Sequence, residues 1–226
     1  YGGYSTKIVV DEHFVLKVPE SLDPAAAAPL MCAGITAWSP FAHLGIGEGH
    51  KLAVLGLGGL GHIAVKFGVS LGAEVTVLSR SASKEADARR LGAHDFVLTD
   101  TENALDAHQE RFDFIYDSVS AEHDIVGPIR CLAYGGTLIM VGAAPDEPGK
   151  PGFLQIDTLL LAAQRRNVHG SLIGGIPEAQ SMLDYCGEHG IVCDVEVIRP
   201  DQINEAYRRT LAADVKYRFV IDCNQF

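Results

Sequence analysis

Residues 51–67, Lys51-Leu-Ala-Val-Leu-Gly-Leu-Gly-Gly-Leu-Gly-His-Ile-Ala-Val-Lys-Phe67, decide the fold. An apolar run, Leu52 to Leu55, enters Gly56-Leu57-Gly58-Gly59-Leu60-Gly61, after which Leu60, Ile63, Ala64 and Phe67 recur with the spacing of one helix face. The segment reads as strand, tight turn and helix. Gly56 supplies the backbone angles of the turn, Gly58 leaves the main chain bare for a diphosphate, and Gly61 lets the helix lie close on the strand. The unpaired N–H groups and positive dipole end of that helix face the diphosphate. A GxGxxG also occurs as a glycine-rich turn with no ligand; a strand before it and a helix after it favour the nucleotide reading.

The pattern repeats downstream. Glu74-Val-Thr-Val-Leu is a second strand, a helix runs through Asp87-Ala-Arg-Arg-Leu-Gly, and Asp95-Phe-Val-Leu is a third strand. Phe112 to Asp117, Gly136 to Gly142 and Val168 to Ile173 supply strands four to six. Short β-rich runs alternating with helical ones predict an α/β Rossmann fold, a doubly wound six-stranded parallel sheet.

The flanks differ. Gly3-Tyr-Ser-Thr-Lys-Ile-Val-Val-Asp and Phe14-Val-Leu-Lys-Val read as strands with no preceding partner, as if the chain starts in the middle of a domain. Asp23 followed by Pro24 starts a helix that continues through Ile35 and Trp38, apolar on nearly every side and so expected to be buried. From Ile176 a helix, the strand Val195-Glu-Val-Ile, a second helix to Leu211 and the strand Arg218-Phe-Val-Ile-Asp leave the parallel pattern. This tail is expected to rejoin the body that holds residues 1 to 22.

The 226 residues suit one large or two modest domains, and 47% hydrophobic with 21% charged residues is a soluble globular composition. A formal net charge of −11 argues against nucleic acid and anionic membrane, because a polyanion is repelled at long range. Residues 1–5 lack the basic start and apolar run of a signal peptide, and Ala25 to Trp38 is interrupted by Pro29 and too short to span a bilayer. Five cysteines, an odd number with no CxxC pair, argue against a disulfide framework, so a cytoplasmic location is expected.

The tip of the second strand selects the dinucleotide. An acid there would bond the free ribose hydroxyls of NAD, whereas the strand ends in Ser79-Arg80-Ser81-Ala-Ser83-Lys84. Two cations and several hydroxyls suit a 2′-phosphate, so NADP is expected; a solvated basic loop is the plainer alternative. Cys32 reads either as a small buried hydrophobe or as a metal ligand, and Glu12, His13 and Glu20 precede it with no ligand motif around them.

Pro29-Leu-Met-Cys-Ala-Gly-Ile-Thr-Ala-Trp-Ser-Pro, the glycine-rich stretch Gly56 to Phe67, Ser79-Arg-Ser and Asp214-Val-Lys-Tyr-Arg-Phe-Val-Ile-Asp together resemble the zinc-dependent medium-chain alcohol dehydrogenases, cinnamyl alcohol dehydrogenase branch. The resemblance runs from Gly2 to Asp222. It implies an NADP-dependent oxidoreductase interconverting alcohols and aldehydes by zinc-assisted hydride transfer. It makes Cys32 a ligand of the catalytic zinc and places Thr36 beside the nicotinamide, in a catalytic role. It gives Gly56, Gly58, Gly59, Leu60 and Gly61 to the diphosphate, and Ser79, Arg80 and Lys84 to the 2′-phosphate. Backbone groups of Ser171, Leu172 and Ile173 would meet the carboxamide, and Arg218 the diphosphate. A homodimer joined through the sixth strand is implied as well.

The family's pattern also contains, before these residues, a GroES-like catalytic domain with further zinc ligands, a proton relay and a four-cysteine zinc site, none of which is in this sequence. The resemblance therefore divides the chain into residues 1–32 as the end of that domain with a connecting helix, 33–172 as the NADP-binding domain, and 173–226 as a returning segment. One thiolate does not hold a catalytic zinc, so the chain by itself is expected to bind nucleotide without turnover. Three alternatives stay open: a zinc-free quinone or enoyl reductase, a methyltransferase, and a non-enzymatic NADP-binding module.

Overall fold

In a computed structural model the described residues are 3–142 and 155–225; Gly2, where the resembling stretch begins, lies outside them. The chain divides into two compact units, Pro40–Leu172, and Tyr1–Ser39 with Ile173–Phe226.

The first of these is built on six strands: β1 (Lys51–Leu55), β2 (Glu74–Ser79), β3 (Asp95–Leu98), β4 (Phe112–Asp117), β5 (Leu132–Met140) and β6 (Asn167–Gly170). All pair in parallel in the order β3-β2-β1-β4-β5-β6. The doubly wound sheet predicted from the alternating pattern is present, with its order reversing between β1 and β4. After their first residues β1 and β2 are buried throughout, as expected of strands covered on both faces. Leu55, Leu78, Phe112, Ile115, Ile129 and Leu138 form part of one continuous core. The helix α3 (Gly61–Ser70) buries Ile63, Ala64 and Phe67, the face that the sequence spacing marked, and α4 (Glu85–Arg90), α5 (Val126–Cys131) and α6 (Thr158–Ala162) follow in the same unit.

The other unit holds α1 (Pro24–Ala27), most of the following apolar stretch, α7 (Ile176–His189), β7 (Val195–Ile198), α8 (Ile203–Leu211) and β8 (Arg218–Ile221). Two expectations need correction. Residues 3–11 and 14–18 form no strand: residues 3–6 are a run of bends, Glu12–Phe14 is a 3-10 turn, and Ile8, Val9, Phe14 and Val15 are exposed. Their β-prone side chains find no partner strand among the described residues, and propensity without pairing does not make a sheet. The helix expected from Asp23 through Trp38 is broken into α1, a 3-10 turn at Ala28–Met31, and α2 (Ala33–Leu44), because Pro29 lacks the N–H that a continuous helix would need. Asp23 does cap α1, accepting from the Ala26 N–H at 2.9 Å.

The tail rejoins the early residues, as its departure from the pattern suggested. Lys17 N–H donates to Gln180 Oε1 at 2.9 Å, and Gln180 Nε2 returns a bond to the Lys17 carbonyl at 2.9 Å. Its strands β7 and β8 stay outside the six-stranded sheet but pair with each other in parallel, with α8 as their crossover. Among the described residues no single helix is long and apolar enough to cross a membrane.

Candidate dinucleotide-binding site

The glycine-rich turn lies between the C-terminal end of β1 and α3, at the point where the strand order reverses. Gly56 has φ +89°, a conformation that side chains disfavour. A Cβ on Gly61 would stand 2.0 Å from the Gly56 carbonyl oxygen, so the helix start and the turn approach as closely as backbone allows. Gly58 is different: it is exposed, and a Cβ there would meet nothing within 4 Å. Among the described residues nothing gives the protein a steric need of a glycine at position 58.

At the tip of β2, Ser79 is buried and its hydroxyl accepts from the Ser81 N–H at 3.2 Å. Ser81 and Ser83 hydroxyls are 2.9 Å apart, so the strand exit is a compact hydroxyl-rich loop. Arg80 is exposed, and Lys84 is half-buried at the end of the 3-10 turn Ala82–Lys84, just before the helix that starts at Glu85. The strand ends on Ser79 and carries no acid at its tip.

Beside the glycine-rich turn the structure pairs His123 with Asp117. Asp117, the last residue of β4 and 1% exposed, meets His123 Nε2 through Oδ2 at 2.9 Å, while His123 Nδ1 faces the Ala121 carbonyl at 2.8 Å. Asp117 Oδ1 accepts from the Val119 N–H at 3.0 Å. Ser118 donates its hydroxyl toward the carbonyls of Leu55 at 3.0 Å and Gly56 at 3.2 Å, tying this loop to the glycine-rich turn. The signal available in the sequence was an Asp at the close of the strand Phe112–Asp117.

After β6, the Ser171 N–H donates to the Met140 carbonyl at 3.1 Å, and is thereby used within the sheet. Leu172 and Ile173 are exposed, and Ile173 adopts φ +49°, so the expected sixth strand stops at Gly170.

In the other unit, Cys32 is exposed and Thr36 buried; the Thr36 hydroxyl donates to the Cys32 carbonyl at 2.7 Å, back onto its own helix. Arg218 opens β8 and lines a cavity of about 470 Å³ with Cys32, Tyr207 and Tyr217. Its Nε is buried with no hydrogen-bond partner among the described residues. No three His, Cys, Asp or Glu side chains converge among the described residues. Burial pushes the Cys131 thiol up to about 11 and the Cys186 thiol up to about 12, so neither is a thiolate at neutral pH. Cys32 alone does not make a zinc site, and no chemical step through zinc follows from the residues present.

The profile of the zinc-binding dehydrogenase family matches residues 59–187. NADP-dependent alcohol dehydrogenase C 1 of Mycolicibacterium smegmatis is 50% identical over 222 residues, 98% of this chain and 62% of the relative. Among solved structures, cinnamyl alcohol dehydrogenase SbCAD4 from Sorghum bicolor aligns with TM-score 0.89 and 42% identity, covering 95% of this chain and 60% of that one. The cinnamyl alcohol dehydrogenase of Helicobacter pylori, complexed with NADP(H), aligns with TM-score 0.85 and 36% identity, over 96% and 60% of the two chains. This chain thus spans about three fifths of the length of the relatives that it matches. With the β3-β2-β1-β4-β5-β6 sheet and the glycine-rich turn at its switch point, these matches place the chain in the zinc-type medium-chain alcohol dehydrogenase family.

Proposed function

We propose that this chain is the nucleotide-binding portion of an NADP-dependent oxidoreductase that interconverts small alcohols and aldehydes. The observation that carries the reading is the open Gly58 between two sterically required glycines. Main-chain N–H groups at Gly58 to Gly61 and the α3 dipole would take the diphosphate. Ser79, Arg80 and Lys84 would take the 2′-phosphate, since cations and hydroxyls at the strand tip suit a dianion and an acid is absent from it. The names of the similar NADP-dependent dehydrogenase and of the NADP(H)-bound structure favour the same cofactor.

In the reaction a hydride passes from the nicotinamide to the carbonyl carbon of an aldehyde while its oxygen gains a proton; alcohol oxidation is the reverse. The protein's contribution is to hold nicotinamide and substrate carbon at reacting distance. Thr36 beside the nicotinamide, backbone groups of Ser171 to Ile173 on the carboxamide, and Arg218 on the diphosphate belong to this proposal. So do a cytoplasmic location, a homodimer through β6, and the assignment of residues 1–32 and 173–226 to a GroES-like domain. Cys32 as a zinc ligand would need donors that the described residues do not supply, so the chain alone is proposed to bind nucleotide without turnover.

The test is calorimetric titration of the chain with NADPH and NADH. NADPH is expected to bind more tightly, and R80A/K84A to lose about tenfold or more of that affinity, as charge-assisted contacts to phosphate are removed. Equal, weak binding of both nucleotides by the unsubstituted chain overturns the reading.

A further inference from the structure

The 2′-phosphate anchor and the glycine-rich turn define a direction. Ser79 and Arg80 stand at the end of β2, the turn follows β1, and β4 lies on the other side of β1. A dinucleotide held by its 2′-phosphate at β2 and its diphosphate at β1 must lay its second half, the nicotinamide ribose and ring, over the end of β4. What stands there is the loop 118–123.

That loop has no regular secondary structure, yet it is closely tied. Ser118 N–H and hydroxyl both bond the Leu55 carbonyl, at 3.1 and 3.0 Å. A Cβ on Gly56 would come within 3.1 Å of Ser118 Oγ and Val119 Cγ2, and one on Gly142 within 2.2 Å of the Val119 carbonyl oxygen. The loop is therefore wedged between the turn after β1 and the end of β5. Its far end is held by one residue. His123 sits between the Asp117 carboxylate and the Ala121 carbonyl, at 2.9 and 2.8 Å, and so pulls the loop back onto the strand it left. Asp117 serves three directions at once: His123, the Val119 N–H at 3.0 Å, and, through its own carbonyl, the N–H groups of Val141 and Gly142, each at 3.1 Å. A carboxylate with 2% of its side chain exposed costs free energy to bury, and the hydrogen bonds offset that cost only while the loop is closed.

We propose that the Asp117–His123 pair positions the wall of the crevice that receives the nicotinamide half of the dinucleotide. The pair touches no ligand; it fixes Ser118 and Val119, which do the facing. This rests on the nucleotide-binding reading above, and concerns one half of that ligand only.

Two probes separate the halves. NADPH spans the crevice, whereas 2′,5′-ADP ends at the first 5′-phosphate and does not reach the far wall. In the full chain, H123A is expected to weaken NADPH by about tenfold, the scale of losing a hydrogen bond to a charged group, and to leave 2′,5′-ADP unchanged. H123Q, whose amide N–H reaches the place of Nε2, restores most of the NADPH affinity. D117N, similar in shape to the native side chain, carries the same comparison if H123A does not fold. The inference is overturned if H123A binds NADPH as the native chain does, or if it loses both probes equally, which would make the pair a general support of the fold. A native chain that binds neither probe overturns the nucleotide reading itself, and this inference with it.

Discussion

Gly58 and Gly61, three positions apart, answer to different demands, and substitution separates them. In G61A the new methyl overlaps the Gly56 carbonyl, at 2.0 Å, and the expected cost is about 1–3 kcal/mol of stability. In G58A the methyl points into open space, so thermal unfolding should move by less than about 0.5 kcal/mol while NADPH affinity falls steeply. Paired melting and titration of the two variants decides whether the turn is built for a ligand: equal affinity in G58A and the native chain would remove the ligand from the account. The roles of Gly56 and Gly61 were legible in the sequence, because a glycine spacing at a strand–helix junction translates directly into backbone angles and clearance. The Asp117–His123 pair was not: five residues of irregular loop separate the partners, and no periodicity encodes a loop that folds back on its own strand.

At the scale of elements, the parallel sheet was legible because each strand is a short apolar run bounded by turns, and a strand covered on both faces leaves that mark. The strands wrongly expected at 3–11 and 14–18 carry the same local mark, but pairing is a long-range property that their residues do not contain. Nor did the tail reveal that β7 and β8 pair in parallel, since the two runs are separated by α8. What joins them includes Arg209 on α8, which forms a two-pronged bond with Glu196 of β7 at 2.8 and 3.1 Å, reaches Asp214 at 3.1 Å, and lies 4.8 Å from the centre of the Phe219 ring on β8. The hydrogen bonds from Arg209, with help from the Lys216 N–H, hold the Glu196 carboxyl below its ordinary 4.5. A depressed value means that the contribution is complete above the ordinary carboxylate range and is lost as pH falls through the folded-state value. E196Q should therefore melt below the native chain at neutral pH, by about 1 kcal/mol for a partly exposed pair. The two melting curves should converge as pH drops below 4.5; a gap that stays constant with pH would place the stabilisation elsewhere.

For the whole molecule, β6 is an edge of the six-stranded sheet, a row of backbone groups without a neighbouring strand on its outer side among the described residues. Pairing of two such edges about a two-fold axis would give a closed dimer, and sedimentation equilibrium is expected to return twice the 24.2 kDa of one chain. A single-chain mass at every concentration tested would refute it. The open space at Gly58 has a further consequence, for descent. A lineage that ceased to use its nucleotide would still be held to glycine at positions 56 and 61 by the demands of folding, but position 58 would be released to drift. Whatever residue a distant descendant carries there is thus a record of whether its crevice is still in use.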